Sequence, residues 1–141
     1  MTSEKLRLLV IDDDDVAAEA IERSLRKHGI SAPISFAANG AEALELLRAT
    51  GIGGANRVPL IALLDLNMPR MNGFEFLREV RSDPALSSLV VFVLTTSDAD
   101  LDRTRAYQEH VAGYMVKSAV GPQFRRLASL LEQYAQAVVL P

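Results

Sequence analysis

A chain of 141 residues suits one compact domain with one core, and its 49% hydrophobic and 23% charged residues are those of an ordinary globular protein. A net charge of −3 gives no electrostatic pull towards nucleic acid or an anionic membrane, so neither is expected as a partner. There is no cysteine, which excludes disulfides, thiol catalysis and cysteine-held metals.

Met1–Lys5 is short and polar, and Leu6–Ile11 is too brief, and interrupted by Arg7, to serve as the apolar region of a signal peptide. No apolar run reaches the length of a membrane span, so a cytoplasmic protein is expected. Leu6–Ile11 reads instead as a first strand, stopped by Asp12–Asp15. Ala17, Ile21 and Leu25 then share one helical face, and Ile34–Ala37 is a second strand. Ala43 with Leu46 and Leu47 predicts a second helix. The glycine-rich Thr50–Asn56 reads as a flexible connection, because Gly51, Gly53 and Gly54 do not lie between a strand and a helix N-terminus as a phosphate cradle requires. A third strand over Leu60–Leu64 is followed by a helix carrying Phe74, Leu77 and Val80 on one face, and a fourth strand covers Leu89–Leu94. The next helix, Asp98–His110, has little to bury beyond Leu101, Tyr107 and Val111, so weak anchoring and easy movement are expected of it. Tyr114–Val116 is the fifth strand, and Phe124, Leu127, Leu130, Leu131 and Tyr134 form the last and strongest stripe.

Strict alternation of short, fully apolar strands with amphipathic helices predicts a doubly wound α/β fold, a five-stranded parallel sheet with helices on both faces. Asn39-Gly40, Asn72-Gly73 and Asp83-Pro84 supply turn or cap signals at element ends. Asp14 and Asp15 are read mainly as a helix cap and a dipole partner. His28 and His110 each close a helix, where partial positive charge suits the dipole, and neither reads as a metal ligand.

In an open parallel sheet, ligands collect at the carboxyl ends of the strands. The polar residues following the strands are Asp12 and Asp13, then Asp65, then Thr95 and Thr96, then Lys117. Asp65 interrupts the otherwise apolar run Leu60–Leu66, and a charge there needs compensation. Taken singly, Asp12 and Asp13 read best as caps, Lys117 as a solvated lysine and Thr95 as a strand former. Taken together, three carboxylates at one sheet edge call for a hard divalent cation, and Mg²⁺ suits oxygen ligands shared with phosphate. An aspartate beside such a cation can attack phosphorus to give an acyl phosphate, with a lysine and a hydroxyl holding the transferring oxygens.

Leu8-Leu9-Val10-Ile11-Asp12-Asp13, Leu63-Leu64-Asp65-Leu66-Asn67-Met68-Pro69 with Asn72-Gly73, Val93-Leu94-Thr95, and Gly113-Tyr114-Met115-Val116-Lys117 resemble, in order, the receiver domain of two-component response regulators. The resemblance implies a flavodoxin-like sheet of order 2-1-3-4-5. It implies Asp65 as phospho-acceptor, with Mg²⁺ held by Asp13 and Asp65, by Asp12 through water and by the carbonyl of Asn67. Lys117 would pair with the carboxylate and then the phosphoryl group. Thr95 would be the switch hydroxyl and Tyr114 the aromatic that follows it, with Thr96 over the site. The family usually has proline after the lysine, commonly after a cis bond, whereas Ser118 stands here; either the bond is trans with a rearranged loop, or local contacts force it.

Val111–Ser118, Gly121, Phe124 and the close Val138-Val139-Leu140-Pro141 are similar to stand-alone receivers that accompany phytochrome-type sensor kinases. The expected partner is thus a sensor histidine kinase. With residues 1–136 read as the receiver and 137–141 as an apolar tail, no output module is expected, and the signal is expected to leave by altered binding, self-association or transfer to a histidine phosphotransfer protein. The tail and last helix are expected to form a homodimer, the alternative being a tail folded back on its own chain. The expected chemistry is self-phosphorylation and slow self-dephosphorylation rather than enzymatic turnover. One rival is a haloacid-dehalogenase-like phosphatase, which would need a second aspartate where Asn67 stands; another is a degenerate receiver acting only as an interaction module, although the aspartates and the lysine are all present.

Overall fold

The computed structural model describes residues 6–51, 59–120 and 124–141. Strands and helices alternate: β1 (Arg7–Ile11), α1 (Asp15–Lys27), β2 (Ile34–Ala37), α2 (Gly40–Thr50), β3 (Leu60–Leu64), α3 (Gly73–Ser82), β4 (Val90–Thr95), α4 (Asp100–Gln108), β5 (Gly113–Val116) and α5 (Arg125–Ala137). The five strands form one parallel sheet in the order β2-β1-β3-β4-β5. Most of the Thr50–Asn56 connection, and Gly121, lie outside the described residues.

Period-two alternation splits the expected single core into two layers. Leu9, Ile11, Ala62, Leu64, Val91 and Val93 pack with α2 and α3 on one face. Leu8, Val10, Ile61, Leu63, Phe92 and Leu94 pack with α1 and α5 on the other. β1, β3 and β4 are buried on both sides and read as continuous apolar segments, whereas the edge strand β2 leaves Ser35 and Phe36 exposed and β5 is half-buried along its length.

The register lines up the carboxyl ends of the strands. Ile11 lies beside both Ala37 and Leu64, Leu64 beside Val93, and Thr95 beside Val116. Helix caps fix where the chain leaves those ends. Asp14 caps α1 by accepting from the Val16 and Ala17 amides, Asn39 caps α2, and Asn72 forms a reciprocal capping box with Glu75 on α3.

Of the three residues expected to anchor the fourth helix, Val111 is buried just past its end, while Leu101 and Tyr107 are not. The helix is shorter than expected, Leu101 is 72% exposed, Tyr107 also faces outward, and Ala106 is its buried residue. On α5, Leu127, Ala128 and Leu131 are buried, but Leu130 is turned partly to solvent and Phe124 precedes the helix in a left-handed conformation. Tyr134 meets Phe92 edge-on, with ring centroids 5.0 Å apart. Past Ala137, Leu140 packs against the α1/α5 core layer while Val139 is 97% exposed. His28 follows α1, and its Nε2 lies 3.3 Å from Ser129 Oγ and 3.8 Å from Glu132 Oε1 on α5. Among the described residues, no helix is long and apolar enough to cross a membrane.

Candidate functional site

The carboxylates gather because the strands carrying them are adjacent. The Asp12 amide donates to the Ala37 carbonyl at 3.0 Å and the Asp65 amide to the Ile11 carbonyl at 2.9 Å, so each aspartate continues the ladder one step beyond its strand. Both side chains are buried, whereas Asp13 is exposed. Oxygens of Asp12, Asp13 and Asp65 lie within 4.8 Å of one another.

Each buried carboxylate has its own partners. Asp12 accepts from the Asp14 amide at 2.9 Å through Oδ1 and from Lys117 Nζ at 2.9 Å through Oδ2. Asp65 accepts from the Thr95 hydroxyl at 3.0 Å and from the Asn67 amide at 3.2 Å, both through Oδ1. Its Oδ2 faces Lys117 Nζ at 3.7 Å. One acceptor oxygen is thus held by two donors, while the other points towards a cation beyond hydrogen-bond length.

Burial pushes the Asp12 carboxyl above its ordinary range, because the bonds from Lys117 and Asp14 return less than desolvation takes. Burial works against the Lys117 ammonium too, but its bond to Asp12 and the charges of Asp12, Asp65 and Asp14 outweigh it, so its pKa lies above that of an ordinary lysine. Three close carboxylates, two of them facing the Lys117 ammonium and the third exposed, form an oxygen-rich donor set that fits a hard divalent cation.

Thr95 lies within β4, not past it, and is 0% exposed, its hydroxyl satisfied by Asp65. Thr96 is exposed beside it. Tyr114, in β5, donates its hydroxyl to the Ser97 carbonyl at 3.0 Å. Burial raises its pKa despite that bond. Ser97, which sequence reading passes over, also donates to Asp102 Oδ2 at 2.7 Å and so ties the β4–α4 loop to the first turn of α4. The Asn67 side chain is exposed. The Lys117–Ser118 bond is trans, as are all peptide bonds among the described residues, and Lys117–Ala119 forms a 3-10 turn.

The chain is 32% identical over 127 residues to the probable methanogenesis regulatory protein FilR2 of Methanothrix harundinacea strain 6Ac, covering 90% of this chain and 81% of that one. It is 28% identical to the response regulator Rcp1 of Synechocystis sp. PCC 6803 over 95% of this chain and 92% of that one. The Mn²⁺-bound structure of Rcp1 superposes with a TM-score of 0.78. The structure of the phosphorylated cyanobacterial phytochrome response regulator RcpA gives a TM-score of 0.81 at 30% identity, covering 96% of this chain and 97% of that one. Residues 8–129 match the response regulator receiver domain, and the chain belongs to that family.

Proposed function

We propose that this signalling protein accepts a phosphoryl group on Asp65 from a sensor histidine kinase of the phytochrome type, in the cytoplasm and in the presence of Mg²⁺. One observation carries the reading: Asp65 Oδ1 is engaged by Thr95 and Asn67, leaving Oδ2 to face Lys117 at 3.7 Å beside two further carboxylates. Oδ2 is the attacking oxygen. It forms a bond to phosphorus as the P–N bond of the donor phosphohistidine breaks, and the leaving imidazole keeps the electron pair and takes a proton from water. Lys117 supports the charge on the transferring oxygens, and Thr95 is placed to bind one of them. The bond from Thr95 to Asp65 would then be exchanged for one to the phosphoryl group, with Tyr114, Thr96 and the weakly anchored α4 carrying the change outward by population shift.

Asp12, Asp13 and Asp65, with the Asn67 carbonyl, would hold the cation. When bound, it offsets the repulsion between an anionic acceptor and an anionic phosphoryl group. The Mn²⁺-bound Rcp1 structure supports a divalent cation in a relative, and the phytochrome association of RcpA supports the class of kinase. Membership of the receiver family removes the phosphatase reading, which lacked its second aspartate at Asn67.

The signal leaves by altered partner binding or by onward transfer to a histidine phosphotransfer protein. A homodimer through α5 and the Val138–Pro141 tail is part of the proposal, supported by Val139 at 97% exposed beside the partly exposed Val138 and Leu130. A chain ending at Ala137 should run as a monomer where the full chain runs as a dimer, and an unchanged size would sink the tail's role.

The test of the acceptor is intact mass after incubation with acetyl phosphate and Mg²⁺. One phosphoryl adduct is expected, dependent on Mg²⁺ and lost in Asp65→Asn. No adduct on the unaltered chain, or an undiminished adduct in the variant, would overturn the assignment.

A further inference from the structure

The loop that carries the chain away from Asp65, Leu66–Asn72, is pressed at both ends by a glycine. Gly73 opens α3 and donates its amide to the Leu66 carbonyl at 3.0 Å. A methyl on Gly73 would lie 2.7 Å from the Leu66 Cα and 2.8 Å from the Asp65 carbonyl oxygen. Carbon atoms rest against one another at roughly 3.5–4.0 Å. Both obstacles are main chain, so neither can yield by turning a side chain. At the far end Gly40, the first residue of α2, donates its amide to the Met71 carbonyl at 3.0 Å. A methyl there would meet Met71 Cγ at 2.8 Å and the Met71 carbonyl oxygen at 2.9 Å.

Both helices are capped by asparagine, Asn39 and Asn72, so their first turns are fixed surfaces rather than frayed ends. Between the two contacts Arg70 holds φ at 65°, a left-handed conformation that a non-glycine residue keeps when its surroundings impose it. The position of the Asp65 carboxylate depends on this arrangement, because Oδ1 takes the Asn67 amide from within the loop and the Thr95 hydroxyl from the neighbouring strand. A shift of a few tenths of an ångström in the Asp65–Leu66 peptide alters both bonds together.

We infer that Gly73, assisted by Gly40, is a positioning residue for the acceptor: without a side chain it lets α3 seat directly on the Asp65–Leu66 peptide, holding the carboxylate in line with Thr95 and Lys117. The inference rests on the acceptor reading of Asp65 and extends it to a residue that touches no reacting atom.

The experiment compares the full chain with Gly73→Ala, Gly40→Ala and Gly113→Ala. A methyl on Gly113 would meet the Phe92 ring at 3.0–3.1 Å, which stresses β4 and β5 without reaching the Asp65 peptide. The rate of adduct formation from acetyl phosphate and Mg²⁺ is followed by intact mass at a temperature where circular dichroism shows each variant folded. Gly73→Ala should be about tenfold slower or worse, Gly40→Ala several-fold slower, and Gly113→Ala within about twofold of the unaltered chain. The same comparison in a Thr95→Val background should show a much smaller penalty for Gly73→Ala, because the alignment it spoils is already lost.

Three results would each overturn the inference: a folded Gly73→Ala protein reacting at the original rate, equal slowing by Gly113→Ala, or a penalty undiminished without the Thr95 hydroxyl. If Gly73→Ala does not fold, Gly40→Ala decides on the same readings. An unaltered chain that takes no phosphoryl group removes the acceptor reading itself, and that result is seen before any variant is compared.

Discussion

Lys117 is bonded to Asp12 rather than to Asp65: Nζ stands 2.9 Å from Asp12 Oδ2 and 3.7 Å from Asp65 Oδ2. The ammonium thus occupies one of the three carboxylates that would draw a divalent cation, and it leaves Asp65 Oδ2 open.

Removing that ammonium should tighten cation binding. A unit charge about 4 Å from another is worth ~4 kcal/mol at an effective dielectric near 20. Screening and rehydration of the freed Asp12 oxygen return most of this. Lys117→Met should therefore bind Mg²⁺ about tenfold more tightly, ~1.4 kcal/mol, while taking up phosphoryl more slowly. Calorimetric titration with Mg²⁺ and with Mn²⁺ checks the first half, and weaker binding by the variant would show that Lys117 orders the carboxylates rather than competing for them.

Thr95 offers a second separation of roles. Its hydroxyl is fully buried and donates to Asp65 Oδ1. Valine keeps the shape and removes the donor, placing a methyl group against a carboxylate. Hydrogen bonds to charged groups contribute ~1.5–3 kcal/mol, so Thr95→Val should lose stability of about that size in urea unfolding, and Thr95→Ser should recover most of it. A valine variant as stable as the original would mean that Asp65 re-forms the bond elsewhere.

The fold could be read from the sequence because both faces of the central strands β1, β3 and β4 are covered, which makes each of them a short apolar run between polar punctuation. The site could be read in outline for the converse reason: Asp65 breaks a run that would otherwise be wholly apolar, and Asp12 opens the run of aspartates that ends the first strand. What escaped depends on contacts between distant segments. Thr95 reads as lying past its strand, yet it sits inside β4, paired with Val116, with its buried hydroxyl satisfied by Asp65. Ser97 is indistinguishable from any loop serine until Tyr114 and Asp102 are brought to it. Gly40 and Gly73 read as turn residues, whereas the closeness of Gly40 to Met71 arises only when two loops meet, and that of Gly73 to Leu66 only when the β3–α3 loop closes on itself. On α4, apolar residues point outward and Ala106 is buried, since the helix is fastened largely by polar bonds that hydrophobic periodicity does not report.

The response to alkali follows from two groups in this region. Burial holds the Tyr114 phenol above the ordinary 10.0, in spite of the bond it gives Ser97. Lys117 lies above the ordinary 10.5 because its bond and charges outweigh burial. A lysine raised in the folded state gives stability that is complete below its unfolded pKa and is lost as pH rises through the folded one. A raised tyrosine acts in the same direction, since the unfolded chain ionises first and the folded phenolate is the disfavoured form. Stability should therefore fall as pH rises above about 10, and Tyr114→Phe and Lys117→Met should each make the fall shallower. Urea midpoints measured from pH 8 upwards test this, and parallel curves for all three proteins would rule it out. At the acid end Asp12 acts with the same sign: its raised pKa means the folded state binds the proton more tightly, so its contribution grows as pH falls and opposes acid unfolding.

The two ends of α4 should differ in mobility because they are fastened differently. At its C-terminal end, Arg81 of α3 donates to the carbonyls of Glu109 at 2.8 Å and His110 at 3.1 Å, and also to those of Ser87 and Leu89 at 2.8 Å each. Burial lowers the pKa of this guanidinium, with the Glu109 charge acting against the shift. At the other end Ala99 makes no side-chain cap, and the first turn is tied through Ser97 and Asp102. Arg105 adds a contact over the Phe74 ring, 3.9 Å from its centroid. Hydrogen exchange should be fastest in the first half of α4 and slower towards Glu109 and His110. Arg81→Met should erase that gradient and cost about 2–4 kcal/mol in unfolding, since several carbonyls lose a charged donor together. Arg81→Lys should recover little, because a single ammonium cannot span the carbonyls that a planar fork reaches. Uniform protection along α4, or a gradient that survives Arg81→Met, would show that the base of the helix is held by Ala106 and Val111 rather than by the guanidinium.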